Sequence, residues 1–137
     1  MRRSVVFFVF SLLASSLTGC AGTIRSSDDL KNQGYQLSRV TYTTATGESR
    51  EGDKMELWWK ESREGGRAVH FCTVPRVPNA GYQWAIHVYV DNREAWTHDA
   101  GYSLPGRAGL RTGVDCASSS PLPDGRLNWR FFYRYWH

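Results

Sequence analysis

The stretch Tyr82-Gln83-Trp84-Ala85-Ile86-His87-Val88-Tyr89-Val90-Asp91 separates by parity. Tyr82, Trp84, Ile86, Val88 and Val90 fall on one side, and Gln83, Ala85, His87, Tyr89 and Asp91 on the other. Successive side chains of a strand point to opposite faces, so this period of two, with aromatic and β-branched residues on one parity, marks a strand with one face in a core. The same pattern recurs on both sides of it. Upstream, Met55, Leu57 and Trp59 alternate with Glu56, Trp58 and Lys60, and an apolar run resumes over residues 68–74 after Arg63-Glu64-Gly65-Gly66-Arg67. A Gly-Gly pair reaches positive φ without steric cost, so residues 54–74 are predicted to form a β-hairpin. Trp58 is the exception there, sharing a parity with Glu56 and Lys60. Downstream, Asp91-Asn92-Arg93-Glu94 turns the chain into a further strand through Ala95 to His98.

The last segment, residues 126–137, follows the turn Pro123-Asp124-Gly125. Its odd positions are Leu127, Trp129, Phe131, Tyr133 and Tyr135; its even positions are Arg126, Asn128, Arg130, Phe132, Arg134 and Trp136. A helix would align Trp129, Phe132, Tyr133 and Trp136 but leave Phe131 and Tyr135 outside its stripe. A strand puts all the apolar odd residues on one face, and aromatic residues favour strands. The strand reading is preferred, and the expected fold is all-β: a small antiparallel β-sandwich or half-open barrel. There is no internal repeat and no low-complexity tract.

The N-terminus carries an address. Met1-Arg2-Arg3 precedes an apolar run over residues 4–17 that ends in Leu17-Thr18-Gly19-Cys20. A basic start, a short apolar region and small residues before a cleavage point describe a secretory signal rather than a membrane span of about 20 apolar residues. Leu17-Thr18-Gly19-Cys20 resembles the lipobox of bacterial lipoproteins. The resemblance implies removal of residues 1–19, diacylation of the Cys20 sulfur and, usually, acylation of its new amino group. Each buried methylene adds about 0.8 kcal/mol, so two or three chains make a durable anchor. Ala21-Gly22 after the cysteine, where Asp would favour inner-membrane retention, implies the outer membrane, with the domain facing the periplasm. The alternative is an unlipidated Cys20 that is buried or disulfide-paired after ordinary cleavage. Residues 20–34 are small and polar and read as a tether reaching roughly 20 Å. Within it Ser27-Asp28-Asp29-Leu30-Lys31 could form one capped helical turn stopped by Gly34. Residues 35–137 then form one domain.

Cleavage leaves 118 residues, enough for a single domain. They carry 15 basic against 13 acidic residues, a balance that argues against a dedicated nucleic-acid binder. The cations are 12 Arg and only 3 Lys. With Cys20 assigned to lipid, Cys72 and Cys116 are an even pair in an oxidising compartment and are expected to form a disulfide. In the chain-entropy model such a bridge contributes about 4 kcal/mol. A zinc or iron site is the competing reading, but neither cysteine sits in a C-x-x-C and no His lies at ligand spacing beside them.

Catalytic motifs are scarce. Gly101-Tyr102-Ser103-Leu104-Pro105 lacks the closing glycine of a nucleophile elbow. Ser118, Ser119 and Ser120 beside Pro121 read as a polar turn. The Gly-rich residues 106–113 lack the Gly-Lys-Ser/Thr ending of a phosphate loop. His70, His87, His98 and His137 show no metal-binding spacing, so neither metal nor cofactor is expected. Glu48, Glu51, Asp53, Glu56, Glu61 and Glu64 interleave with basic residues as on a solvated hairpin face. A carboxylate pair for glycoside hydrolysis, whose members can be distant in the chain, stays open as a minor alternative to a non-enzymatic role.

The candidate site is a binding surface. Arg126, Arg130 and Arg134 share one parity with Phe132 and Trp136, combining guanidinium donors with aromatic area, the residue types enriched at protein interfaces. If that parity is buried instead, its arginines pair internally. A second candidate is the loop over residues 102–111, with Arg107 and Arg111, inside the long, turn-rich stretch from His98 to Gly125; long loops are often functional. Such surfaces suit an acidic protein, lipopolysaccharide phosphate or cell-wall carboxylates. In layout the chain looks like the small lysozyme-inhibitor and toxin-immunity lipoproteins, although no motif carries a functional residue over. The expected role is therefore a periplasmic protein-binding lipoprotein, an inhibitor or immunity protein against an envelope-degrading enzyme. The alternative is a structural subunit of an envelope or secretion complex.

Overall fold

The computed structural model describes residues 24–38, 41–43, 49–51 and 54–136, with 41–43 and 49–51 described by their backbone alone. The expected signal peptide over residues 1–19 and Cys20 lie outside the described residues. Among the described residues one helix, α1 (Ser27–Asn32), precedes nine strands: β1 (Gln36–Ser38), β2 (Thr41–Thr43), β3 (Ser49–Glu51), β4 (Met55–Ser62), β5 (Ala68–Pro75), β6 (Gly81–Val90), β7 (Arg93–Ala100), β8 (Asp115–Ser118) and β9 (Leu127–Trp136). All strand pairs are antiparallel. Their order is β1-β4-β5-β8 in a first sheet and β7-β6-β9 in a second, beside the two-stranded β2-β3. The two main sheets pack face to face without closing a barrel, which makes the fold a small all-β sandwich.

The turns follow from their residues. Gly65 and Gly66, at φ 70° and 117°, join β4 to β5. Asp91 and Asn92, at φ 51° and 65°, join β6 to β7 with the two consecutive positive φ values of a hairpin turn whose twist matches its strands. The core lies between the sheets. Met55, Leu57, Val69 and Phe71 of the first sheet meet Tyr82, Trp84, Ile86, Val88, Val90, Phe131 and Tyr133 of the second. Large apolar side chains contribute about 1.5–3 kcal/mol each on full burial. The odd positions of β9 therefore face inward, with Trp129 half-buried 4.9 Å from Trp59 and edge-on to Phe71 at 5.2 Å.

The start of the domain differs from the expectation of a free tether. The capped turn over residues 27–31 does form: the Ser26 side chain accepts from the Asp29 N–H, and Gly34 takes φ 88°. It also docks. Leu30 is fully buried against Trp58 and Cys72, with Ile24, Tyr35, Val74 and Val114 around them. This explains the parity of Trp58, which is the floor of a second small core on the outer side of the first sheet. Folded structure thus begins by Ile24, not at Tyr35.

The long stretch after β7 is fastened at several points. Cys72 and Cys116 are bonded, with Cα atoms 4.1 Å apart, and stand directly opposite each other in the β5–β8 register. Further on, the buried Arg67 donates through Nη1 to the carbonyls of Pro123 and Gly125, both at 2.8 Å, and through Nε to Glu61 at 2.9 Å.

Candidate protein-binding surface

In the β6–β9 register Gly81 stands opposite Trp136, Gln83 opposite Arg134, Ala85 opposite Phe132, His87 opposite Arg130 and Tyr89 opposite Asn128. Opposed residues share a face. Because Tyr82, Trp84, Ile86 and Val88 face the core, these pairs form the outer face of the second sheet, on the side of the sandwich away from α1.

On this face Arg134 is a clamp. Its Nη2 donates to the carbonyls of Tyr102 and Leu104, and its guanidinium lies 4.7 Å from the Tyr102 ring and 5.8 Å from the Trp136 ring. Tyr102 lies 5.9 Å from Phe132, and the His87 ring meets Phe132 edge-on at 5.6 Å. His87 Nδ1 is 3.5 Å from a Glu94 oxygen. The Arg130 guanidinium sits 5.9 Å from the Tyr89 ring. An exposed contact of that kind contributes about 0.5–1 kcal/mol and leaves the fork of N–H donors unused. Arg130 and Arg126 are exposed, and neither has an ion pair among the described residues. Trp136, Arg134, Tyr102, Phe132, His87, Arg130 and Tyr89 thus make one continuous row of cations and rings.

The 102–111 loop divides. Its first half joins the row through Arg134, so the two surfaces recognised separately in the sequence are contiguous. Arg107 lies exposed on it with no partner among the described residues. Arg111 goes elsewhere. Its backbone pairs with Tyr82, through N–H···O contacts of 2.9 and 2.7 Å, and so takes the core parity. Its Nε reaches Asp115 Oδ2 at 3.2 Å, and the same oxygen accepts from Trp84 Nε1 at 2.8 Å. Arg111 is therefore a strut at the sandwich edge rather than a member of the row.

Two residues at the loop's base were not singled out in the sequence. Gln83, fully buried, donates through its amide to the carbonyls of Gly106 and Ala108. Tyr82 donates its hydroxyl to the Gly113 carbonyl at 2.7 Å and lies 3.0 Å from Thr73 Oγ1. Burial pushes the Tyr82 phenol well above its ordinary range, so it stays protonated and a donor. The only sequence signal for Gln83 was a long amide on the non-core parity of the clearest strand.

The remaining polar residues with notable surroundings are structural. His70 bridges Ser118 Oγ at 2.7 Å and Ser62 Oγ at 3.1 Å on the outer side of the first sheet. Burial, with Lys60 nearby, holds its pKa below the usual histidine value. Ser118 ends β8 and the Ser119 hydroxyl accepts from the Val69 N–H, so the expected serine turn is a strand end. Among the described residues no three His, Cys, Asp or Glu side chains converge as metal ligands, and no helix is long and apolar enough to cross a membrane. Comparison with known proteins finds no matching family model, no matching curated protein and no matching solved structure.

Proposed function

We propose that the chain is a lipid-anchored periplasmic protein that binds another protein, as an inhibitor or immunity protein against an envelope-degrading enzyme. The observation that carries the reading is the row on the outer face of the second sheet, where Arg130 presents an exposed guanidinium without an ion pair among the described residues, in line with Phe132, Tyr102 and Trp136. Arginine with aromatic rings is the composition of interface hot spots. The lipobox Leu17-Thr18-Gly19-Cys20 supports the anchor. With Ile24 already packed on the domain, an acylated Cys20 leaves a connection of only about 14 Å when extended. Such a short link favours α1 toward the outer-membrane surface and the arginine row away from it, which suits a partner in the periplasm rather than the anchoring bilayer.

The test is affinity purification of the Cys20-anchored chain from its own cells, as wild type and as Arg130→Ala. The reading expects a one-to-one complex with a wall- or membrane-degrading enzyme that the variant loses. Recovery within a large membrane assembly would point to the subunit role, and the same proteins recovered with both chains would remove the arginine row from the interface. A Cys20→Ser chain that still sediments with outer membranes would end the lipoprotein reading.

A further inference from the structure

The row is continuous with a loop that is built before any partner arrives. Over residues 101–113 the carbonyls of Tyr102, Leu104, Gly106 and Ala108 are all held from beneath, the first pair by Arg134 and the second by the buried Gln83. Asp99 accepts from the Ser103 N–H at 3.2 Å, and the Leu104 N–H closes a turn onto the Gly101 carbonyl at 3.1 Å. Gly101, at φ 83°, lets the two ends of the loop approach: a Cβ there would stand 2.9 Å from the Ala108 carbonyl oxygen. The last part is tied down by Tyr82 at Gly113 and by the pairing of Arg111 with Tyr82.

With its carbonyls turned toward the sheet, the loop shows solvent its side chains. Leu104 is 48% exposed, one of two large apolar side chains so exposed among the described residues; the other, Leu37, lies in β1 of the first sheet. Pro105 and Arg107 are exposed next to it. Ordering a free loop on binding costs backbone entropy at every residue, and a preformed loop avoids that loss.

We infer that the 101–113 loop is the recognition element of this surface: a preorganised ridge that inserts Leu104 into an apolar pocket of a folded protein partner, with Arg107 meeting carboxylates at the pocket's rim. The inference rests on the protein-binding reading above and specifies its partner's surface. A single Leu offers too little apolar area for stable insertion in a bilayer. Among the described residues Arg107 is the one cation on the loop without a carboxylate or carbonyl partner, whereas a phosphate polymer is held by many cations along its length. A convex ridge with one apolar and one cationic tip residue matches a concave, acid-rimmed site. In this arrangement Arg134 and Gln83 are positioning residues, while Leu104 and Arg107 make the contact.

The test places a photoreactive phenylalanine analogue at Leu104, at Phe132 or at Leu37 of the full chain and irradiates cells that naturally make it. The expected result is an adduct from position 104 with one protein identified by mass spectrometry, cross-linked in a pocket bordered by Asp or Glu, and none from position 37. With that protein purified, Leu104→Ala and Arg107→Glu should each weaken binding about 30-fold, the range of a hot spot, at unchanged Tm. In the unbound protein the Ser103 and Leu104 amides should be protected from hydrogen exchange. Gln83→Ala should lower that protection while the β6–β9 amides keep theirs. Adducts from Phe132 alone, or affinity indifferent to both tip substitutions, would overturn the loop's role and leave the protein-binding reading standing. Adducts from neither position would overturn both. A captured protein that is a structural subunit, bound through Leu104 and Arg107, would uphold the loop and overturn the inhibitor role. Unprotected loop amides in the free protein would overturn the preorganisation.

Discussion

Trp129 and Arg130 are neighbours in β9 with opposite surroundings, one packed on Trp59 and Phe71 and the other exposed, its guanidinium 5.9 Å from the Tyr89 ring. Arg130→Ala is expected to change stability by no more than about 0.5 kcal/mol, whereas Trp129→Ala should cost about 3 kcal/mol. Thermal or denaturant unfolding of the two variants checks this, and the reverse order would mean that the strand's faces are inverted. The parity behind this contrast was legible in the sequence, because five apolar residues at period two suit only a strand. What each arginine does was not. Arg130 and Arg134 occupy equivalent positions in the pattern, and the difference between them lies in loop carbonyls that arrive from about 30 residues away. Arg67 shows the same limit. In sequence it belongs to a mixed-charge turn, yet it is buried and holds the Pro123 and Gly125 carbonyls together with Glu61. Removing the guanidinium takes the charged donor from the Pro123 and Gly125 carbonyls, while Glu61 keeps Arg63 at 3.3 Å, so Arg67→Ala should cost about 2 kcal/mol. Unfolding by urea should show the loss as a lower midpoint, and an unchanged midpoint would mean that the clamp contributes nothing.

At the level of elements, the docking of α1 depends on one carboxylate. Glu56 Oε1 accepts from Ser27 Oγ at 2.7 Å and from Trp58 Nε1 at 2.9 Å, and its other oxygen lies 3.3 Å from Arg76 Nε. Lys60, donating to the Gln33 carbonyl at 3.1 Å, ties down the other end of the segment. Burial pushes the Glu56 carboxyl up, but the hydrogen bonds from Ser27 and Trp58 and the charge of Arg76 together outweigh it, so its pKa falls below the ordinary 4.5. A carboxylate whose folded pKa is depressed binds fewer protons in the folded state than in the unfolded chain. Its stabilisation is present above about pH 4.5 and is lost as the pH falls through the lower folded value. His70, also depressed, acts in the same direction from about pH 6.5 downward, since the unfolded chain takes up the proton first. Acidification should therefore loosen α1 before the main core unfolds, reported by Trp58 fluorescence and by exchange of the Gln33 and Tyr35 amides. Glu56→Gln should remove the step below pH 4.5 and leave the one from His70; an unaltered acid profile would exclude Glu56 as its source. The capped turn itself was visible in Ser27-Asp28-Asp29 and Gly34. Its docking was not, because a lone Leu30 among polar residues has no periodicity, and only the misplaced parity of Trp58 hinted that the first sheet needed a cover.

Across the whole molecule, each sheet buries one face in the shared core and treats the other differently. The first is partly covered by α1 and cross-linked; the second presents rings and arginines. Sheet order and register were not readable from the sequence, since β9 pairs with β6 across an intervening strand, the loop and β8, and only the assembled core selects that pairing. The disulfide is the constraint that spans this interval. Cys72 and Cys116, 44 positions apart, enclose β6, β7 and the 101–113 loop. Closing an interval of that length lowers the entropy of the unfolded chain by the equivalent of about 4 kcal/mol, a value that does not depend on which residues lie inside. A second effect is local. β8 has only four residues and pairs with β5 alone, and its first residue, Asp115, holds Trp84 and Arg111 at the root of the loop. Replacing both cysteines with Ser should therefore lower stability by about 4 kcal/mol. It should also raise exchange in β8 and in the loop amides more than in the β6–β9 ladder, whose ten-residue register does not rely on the bridge. If exchange rises uniformly, the bond acts through the unfolded chain alone and the loop is held by Arg134, Gln83 and Tyr82 without it. If folded, unreduced protein carries two reactive thiols outside Cys20, the bridge is absent in solution and the root of the loop has lost the covalent link between β5 and β8.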